Sequence, residues 1–206
     1  SLTLSDVDSN NLTGATVTIS GNFQSGGEDV LAFTAASGSG ITGSFNNSTG
    51  VLTLSGTTTK ALYEQTLESV TYQNTSDNPS TSARTITWQV NDGSSANNLS
   101  SAVTSTVAVT ATNDTPTAAA DTVISNTSSL FTIFKQALLW NDSDAEGSSL
   151  SIAAVNNLGG SNGTAELVNG DVNFTPASGA SSGQFTYTVS DGSVTSSAAT
   201  VSLTIG

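Results

Sequence analysis

The chain reads as all-β, two Greek-key β-sandwiches in tandem, and three observations predict it. Apolar and small polar residues alternate with period 2 over most of its length, as half-buried strands require. Ser, Thr, Asn and Gly clusters punctuate the alternation at hairpin spacing. A pair of acidic loop motifs occurs once in each half.

In chain order, the strands of the first half are ATVTIS (15–20), DVLAF (29–33), VLTLS (51–55), RTITWQV (84–90) and VTSTVAV (103–109). Those of the second half are LFTIF (130–134), LSIAA (150–154), TAELV (164–168), DVNFT (171–175), QFTYTV (184–189) and TVSLTI (200–205), with a first strand near Thr122. Turn clusters such as Asn46-Asn47-Ser48-Thr49-Gly50 and Asn169-Gly170 separate them. Only Thr59 to Ser69, with Leu62, Glu64, Leu67 and Glu68, is spaced for a short helix. Trp88 alternates in register with Ile86 and Val90, which predicts a place in the core.

Composition narrows the function. The 206 residues hold 16 acidic and 3 basic side chains, a net charge of −13. Nucleic-acid affinity comes largely from Lys and Arg displacing counterions, so this balance argues against nucleic acid and against an anionic membrane surface. No apolar run is long enough for membrane insertion. Cys, His and Met are absent, which removes thiol nucleophiles, His bases and the usual zinc ligands, and most enzyme classes with them. Glu64 and Glu68, one helical turn apart, read as a solvated face rather than a glycosidase pair.

The internal repeat is the most informative feature. Asp6-Val7-Asp8 recurs as Asp142-Ser143-Asp144, and Val90-Asn91-Asp92-Gly93 recurs as Val189-Ser190-Asp191-Gly192. Between the halves lies Thr112-Asn113-Asp114-Thr115-Pro116, which divides the chain into domains 1–114 and 115–206. Alternating strand directions carry Asp142, Asp144 and Asp191 to the end that meets Asn113 and Asp114. They place Asp6, Asp8 and Asp92 at the far end of the first domain. The first domain's other loops, with Glu28, Asp29 and Asp77, then face the second domain. On this count the first domain begins at its second strand, with strand A missing.

Carboxylates gathered in this way repel one another unless a cation neutralises them. Ca2+ takes six to eight oxygens in irregular geometry from Asp, Asn and backbone carbonyls, the inventory available here. The expected metal ligands are therefore Glu28, Asp29, Asp77, Asn113, Asp114, Asp142, Asp144, Asp191, Asp6, Asp8 and Asp92. An EF-hand does not fit, because the loop starting at Asp142 has Ala153, and the loop starting at Asp6 has Val17, where a bidentate Glu belongs.

At these residues the sequence resembles the cadherin-like tandem repeats of large bacterial RTX-type surface adhesins. The resemblance rests on LTLSDVDSNNLTGATVTISG, ALYEQTLESVTYQNTSDNPS and VNDG in the first half. In the second half it rests on LLWNDSD, VNFTP and FTYTVSDG. It implies extracellular, calcium-rigidified spacer domains, secreted to the bacterial cell surface and packed against neighbouring repeats of the same chain. It aligns Asn113 and Asp114 with the calcium-binding linker, Asp142 and Asp144 with the Asp-x-Asp, and Asp191 with the Asp after the sixth strand. The linker departs from that pattern, lacking the leading Asp and trailing Asn. The alternative is a carbohydrate-binding or cell-cell interaction module recognising cell-surface glycans, for which Trp140, Tyr72 and Tyr63 are the candidate stacking platforms.

Overall fold

The computed structural model describes residues 2–7 and 9–206, which form two compact units, Ser1–Ala111 and Thr112–Gly206. Both are β-sandwiches.

The first unit contains β1 (Asn11–Gly21), β2 (Asp29–Ala32), β3 (Thr42–Asn46), β4 (Val51–Thr59), α1 (Lys60–Glu68), β5 (Thr71–Asn74), β6 (Arg84–Asn91) and β7 (Val103–Val107). One sheet runs in the order β3-β4-β1-β6-β7, and the other is the pair β2-β5. The alternation in β1 turns Leu12, Ala15, Val17 and Ile19 inward, where they meet Leu52, Leu54, Ile86 and Tyr63. Helix α1 starts at Thr59, whose hydroxyl accepts from the Leu62 N–H, an N-cap that satisfies one otherwise orphaned donor. Its Tyr63 is fully buried and donates its hydroxyl to Gly56 O at 2.6 Å.

The second unit contains β8 (Asp121–Ser125), β9 (Phe131–Ile133), α2 (Lys135–Leu139), β10 (Ser151–Asn157), β11 (Gly163–Val168), β12 (Asp171–Pro176), β13 (Ser182–Ser190) and β14 (Ala199–Ile205). Its sheets run β10-β13-β14-β8 and β11-β12-β9. All pairings are antiparallel except β8 with β14, which are parallel from Asp121↔Val201 to Ser125↔Ile205. The core is centred on Phe174, stacked on Phe185 with centroids 6.1 Å apart. Gly163 and Gly183 make room for that ring, since a Cβ on either would collide with Phe174.

Three sequence expectations change. The first strand of unit 1 is not the second strand of its sandwich. β1 pairs with β6 as β10 pairs with β13, and each follows an Asp-x-Asp segment, so β1 takes the third-strand position. The period-2 pattern marks a strand but does not say which partner it joins. Trp88 is half-buried rather than central, and its Nε1 donates to Ser105 Oγ at 2.9 Å. The short helix α2 follows LFTIF, in residues for which the sequence reading gave no element.

Candidate functional site

The acidic end of the second unit is built by the segment before β8 folding back on the loop after α2. Thr117 and Ser143 exchange both backbone hydrogen bonds, at 2.8 and 3.0 Å. The Ala119 N–H donates to Asp142 Oδ1 at 2.7 Å, and the Asp114 N–H to Glu146 Oε1 at 3.2 Å. Asn113 Nδ2 donates to Asp191 Oδ2 at 2.7 Å. Four successive ties thus pin residues 113–119 to the Asp-x-Asp loop and to the loop after β13.

Each carboxylate also takes donors from its own loop. Asp144 Oδ1 accepts from the Ser148 N–H at 2.8 Å, and Asp191 Oδ1 accepts from the Ser193 and Val194 N–H groups at 2.6 and 2.8 Å. The Asn113 amide and these two N–H groups hold the Asp191 carboxyl below the usual carboxylate range. A shallow cavity of about 360 Å³ opens over Leu139, Asp142, Asp144, Gly147 and Leu150. Among the described residues no three carboxylates stand close enough to grip one ion as they lie.

The oxygens left over bear on calcium. Asp144 Oδ2 is buried without a hydrogen-bond partner, and so is Asn141 Oδ1. An orphaned buried carboxylate oxygen costs free energy that a hard cation would recover, and the donor set here is entirely oxygen. The donor types suit a hard cation, but among the described residues they are not gathered into a metal site as they lie. Glu146, in the turn closed by the Gly147 N–H on Asp144 O, was missed by the sequence reading; its signal is the acidic continuation Asp-Ser-Asp-Ala-Glu.

The acidic residues of the first unit are arranged differently. Asp29 is fully buried in an ion pair with Arg84, 2.9 Å from Oδ2 to Nε, with Arg84 Nη2 at 3.2 Å from Oδ1. It also accepts from Tyr72 Oη at 2.5 Å, Asn74 Nδ2 at 2.8 Å and the Gln24 N–H at 2.8 Å. Burial alone would raise its pKa, but the hydrogen bonds from Arg84, Tyr72, Gln24 and Asn74 outweigh it and hold the carboxyl below its ordinary value. Tyr72 responds in the opposite sense, pushed up to about 12 by burial and by Asp29. With five donors on two oxygens, Asp29 is engaged in a buried network centred on Arg84. Glu28 lends its backbone carbonyl to the Thr75 N–H, at the same end of the β2-β5 pair, and Asp77 lies in the loop after β5.

At the other end of this unit, Asp6 Oδ1 accepts from the Ser9 N–H, and Asp92 accepts from the Ser94 N–H and hydroxyl. Asp8 lies outside the described residues. Asp6 and Asp92 line one small cavity with Lys60, whose ammonium donates to Asp6 O at 2.9 Å and Ser9 O at 2.8 Å. A lysine of the chain itself supplies positive charge there. The side chains of Glu64 and Glu68, expected to be merely solvated, accept from the Leu4 and Leu2 N–H groups at 2.7 and 3.2 Å.

The three candidate stacking aromatics differ in exposure. Trp140 is 78% exposed, Tyr63 is fully buried, and Tyr72 is engaged with Asp29.

Solved structures similar to this chain are ectodomain and enzyme segments. The human Desmocollin-1 ectodomain is 10% identical, covering 87% of this chain and 33% of that one, with a TM-score of 0.33. Protocadherin Gamma B2 extracellular cadherin domains 3-6 are 17% identical, covering 87% and 41%, at 0.37. The endo-fucoidan hydrolase MfFcnA4 from glycoside hydrolase family 107 is 16% identical, covering 87% and 24%, at 0.29. The chain spans less than two thirds of each of these proteins. No curated protein matches it. Residues 113–204, nearly the whole second unit, match the family model described as Bacterial Ig domain, so it is this unit that is similar to bacterial immunoglobulin-type domains.

Proposed function

We propose that the chain is a spacer segment of a secreted bacterial surface adhesin, and that calcium stiffens it by binding the acidic end of the second unit. The observation that carries this reading is the set of four ties from residues 113–119 to the Asp142–Glu146 and Asp191 loops, beside the orphaned Asp144 Oδ2. Asn113, Asp114, Asp142, Asp144, Glu146 and Asp191 would hold the ion after side-chain rotations in the loops. Calcium there supplies a positive charge that neutralises the carboxylates and cross-links the segment entering the unit to its end loops. The function is mechanical, with neighbouring repeats as partners and no chemical step. A match to a bacterial Ig model over residues 113–204 suits an extracellular structural module. The absence of His and Cys from the sequence suits a non-enzymatic role.

Asp29 has no part in this proposal, and the Asp6 and Asp92 end has Lys60 as its cation. Small-angle scattering of the whole chain tests the reading. Calcium should narrow the distribution of end-to-end lengths and chelator should broaden it. Identical scattering in both would refute it.

A further inference from the structure

The two units end one of their sheets differently. Val90-Asn91-Asp92-Gly93 after β6 and Val189-Ser190-Asp191-Gly192 after β13 mark these strands as counterparts. Two residues before each valine stand Trp88 and Tyr187, which pair with Val103 on β7 and Ala199 on β14. The match continues, with Ile86↔Ser105 beside Phe185↔Val201 and Arg84↔Val107 beside Gly183↔Leu203. β7 is therefore the counterpart of β14. In the second unit β14 has a further neighbour, β8, parallel to it from Asp121↔Val201 to Ser125↔Ile205. In the first unit β7 ends its sheet, and β6 is its one strand partner among the described residues.

The side chains register the uncovered edge. Ala199, Val201 and Leu203 are buried, whereas Val103 is 56% exposed and Ser105 is exposed. The apolar and polar alternation runs on to Val109, yet strand pairing stops at Val107, two residues short of the counterpart of Ile205. The facing sheet is short as well, with two strands, β2-β5, where the second unit has three, β11-β12-β9. An apolar groove of about 540 Å³ stays open between β7 and the end of α1, lined by Leu2, Leu67, Val70, Trp88, Val103 and Ser105.

An edge strand beside an apolar groove is a template for strand addition, in which main-chain hydrogen bonds give affinity and alternate side chains fill the groove. What covers the equivalent edge shows the kind of occupant. β8 is a short strand, Asp-Thr-Val-Ile-Ser, uncharged after its first residue, and its Val123 packs against the core. Val103–Val107 carries no charge either. We propose that β7 and the groove beside it accept one extended strand of this kind, parallel to β7 and opposite residues 105–109, supplied by an adjoining repeat of the same protein. The inference rests on the spacer reading above and names the contact through which one repeat joins the next at the first unit. A joint made of backbone hydrogen bonds and apolar burial is indifferent to calcium.

Fluorescence and amide hydrogen exchange of the full chain test it, in a Trp140→Phe background that leaves Trp88 as the one tryptophan. The probe is a synthetic peptide of residues 119–126, Ala-Ala-Asp-Thr-Val-Ile-Ser-Asn. Submillimolar peptide should shift Trp88 emission to the blue and slow exchange at residues 104–109 by roughly fivefold or more, in calcium and in chelator alike. Val103→Asp places a charge at an exposed position of the edge and leaves the core alone. It should abolish both effects, and so should Val123→Pro in the peptide. Unchanged emission and exchange at millimolar peptide, or equal binding by the proline peptide, would overturn the inference. So would sedimentation showing that the chain alone forms a dimer dissolved by Val103→Asp, because the occupant would then be a second copy. Neither readout depends on calcium, so scattering that ignores calcium would sink the calcium clamp alone.

Discussion

Two buried acidic groups, one in each unit, are treated in opposite ways. Asp29 in the first unit meets a guanidinium, a phenol, an amide and a backbone N–H, and both its oxygens are saturated. Asp121 in the second unit is nearly as buried, yet one oxygen lacks a partner and its charged neighbour is another carboxylate. The contrast teaches that acidity in a loop says little until the donors are counted. The first unit carries its own cations, Arg84 against Asp29 and Lys60 beside Asp6 and Asp92, whereas the donors that reach the acids at the end of the second unit are neutral, and Asp121 Oδ2 and Asp144 Oδ2 are left without a hydrogen-bond partner. Under the proposed function, a cation from solution acts on the second unit.

The largest effect expected from breaking this contrast lies in the first unit. Arg84→Met leaves the Asp29 charge buried and unpaired, which costs about 3–5 kcal/mol. Denaturant unfolding should show the first unit's transition weakened by that amount, and calcium should not restore it. The same carboxylate sets an acid limit. Its folded pKa is depressed, so its contribution is present above the unfolded value of about 3.9 and is lost as pH falls through the lower folded value. Unfolding curves between roughly pH 5 and pH 2 should therefore show the wild-type first unit weakening with acid. An Asp29→Asn variant should show less of that slope.

Next in size is the calcium-dependent part of the second unit's stability. At free calcium about 100 times the dissociation constant, binding adds about 2.7 kcal/mol. For a unit of about 100 residues this raises the melting temperature by roughly 10 to 20 °C. Asp144→Ala should lose most of that gain and change little in chelator, as seen by thermal melts in the two buffers.

Much of this division was legible in the sequence. The alternation located most of the strands, though not β3 or β5, and the Thr59–Ser69 spacing located α1. What was not legible depends on pairing across the chain. Nothing local to Gly-Gly-Glu-Asp reveals that Arg84, 55 residues later, will lie against Asp29. Nor does the alternation in β1 say whether its neighbour is β6. Asp121 was passed over because a single Asp at a strand start is an ordinary turn residue. Its significance comes from burial beside Tyr187 and Asp142, contacts 66 and 21 positions away that exist only in the fold.

Smaller effects sharpen the comparison at the other end of the first unit. Lys60→Met removes two charge-assisted hydrogen bonds at a half-buried position, with an expected cost of about 1 kcal/mol, readable as a shift in the denaturant midpoint. Asp92→Ala removes only a local turn contact with Ser94, and about 0.5 kcal/mol is expected. Neither change should alter calcium binding by the chain.

Differential scanning calorimetry of the wild-type chain, with calcium and with chelator, tests the central claim most directly, the two transitions being assigned by Arg84→Met. The account predicts that calcium raises the second unit's transition and leaves the first unit's where it is. A calcium-dependent first unit, or a second unit whose melting ignores calcium, would contradict it.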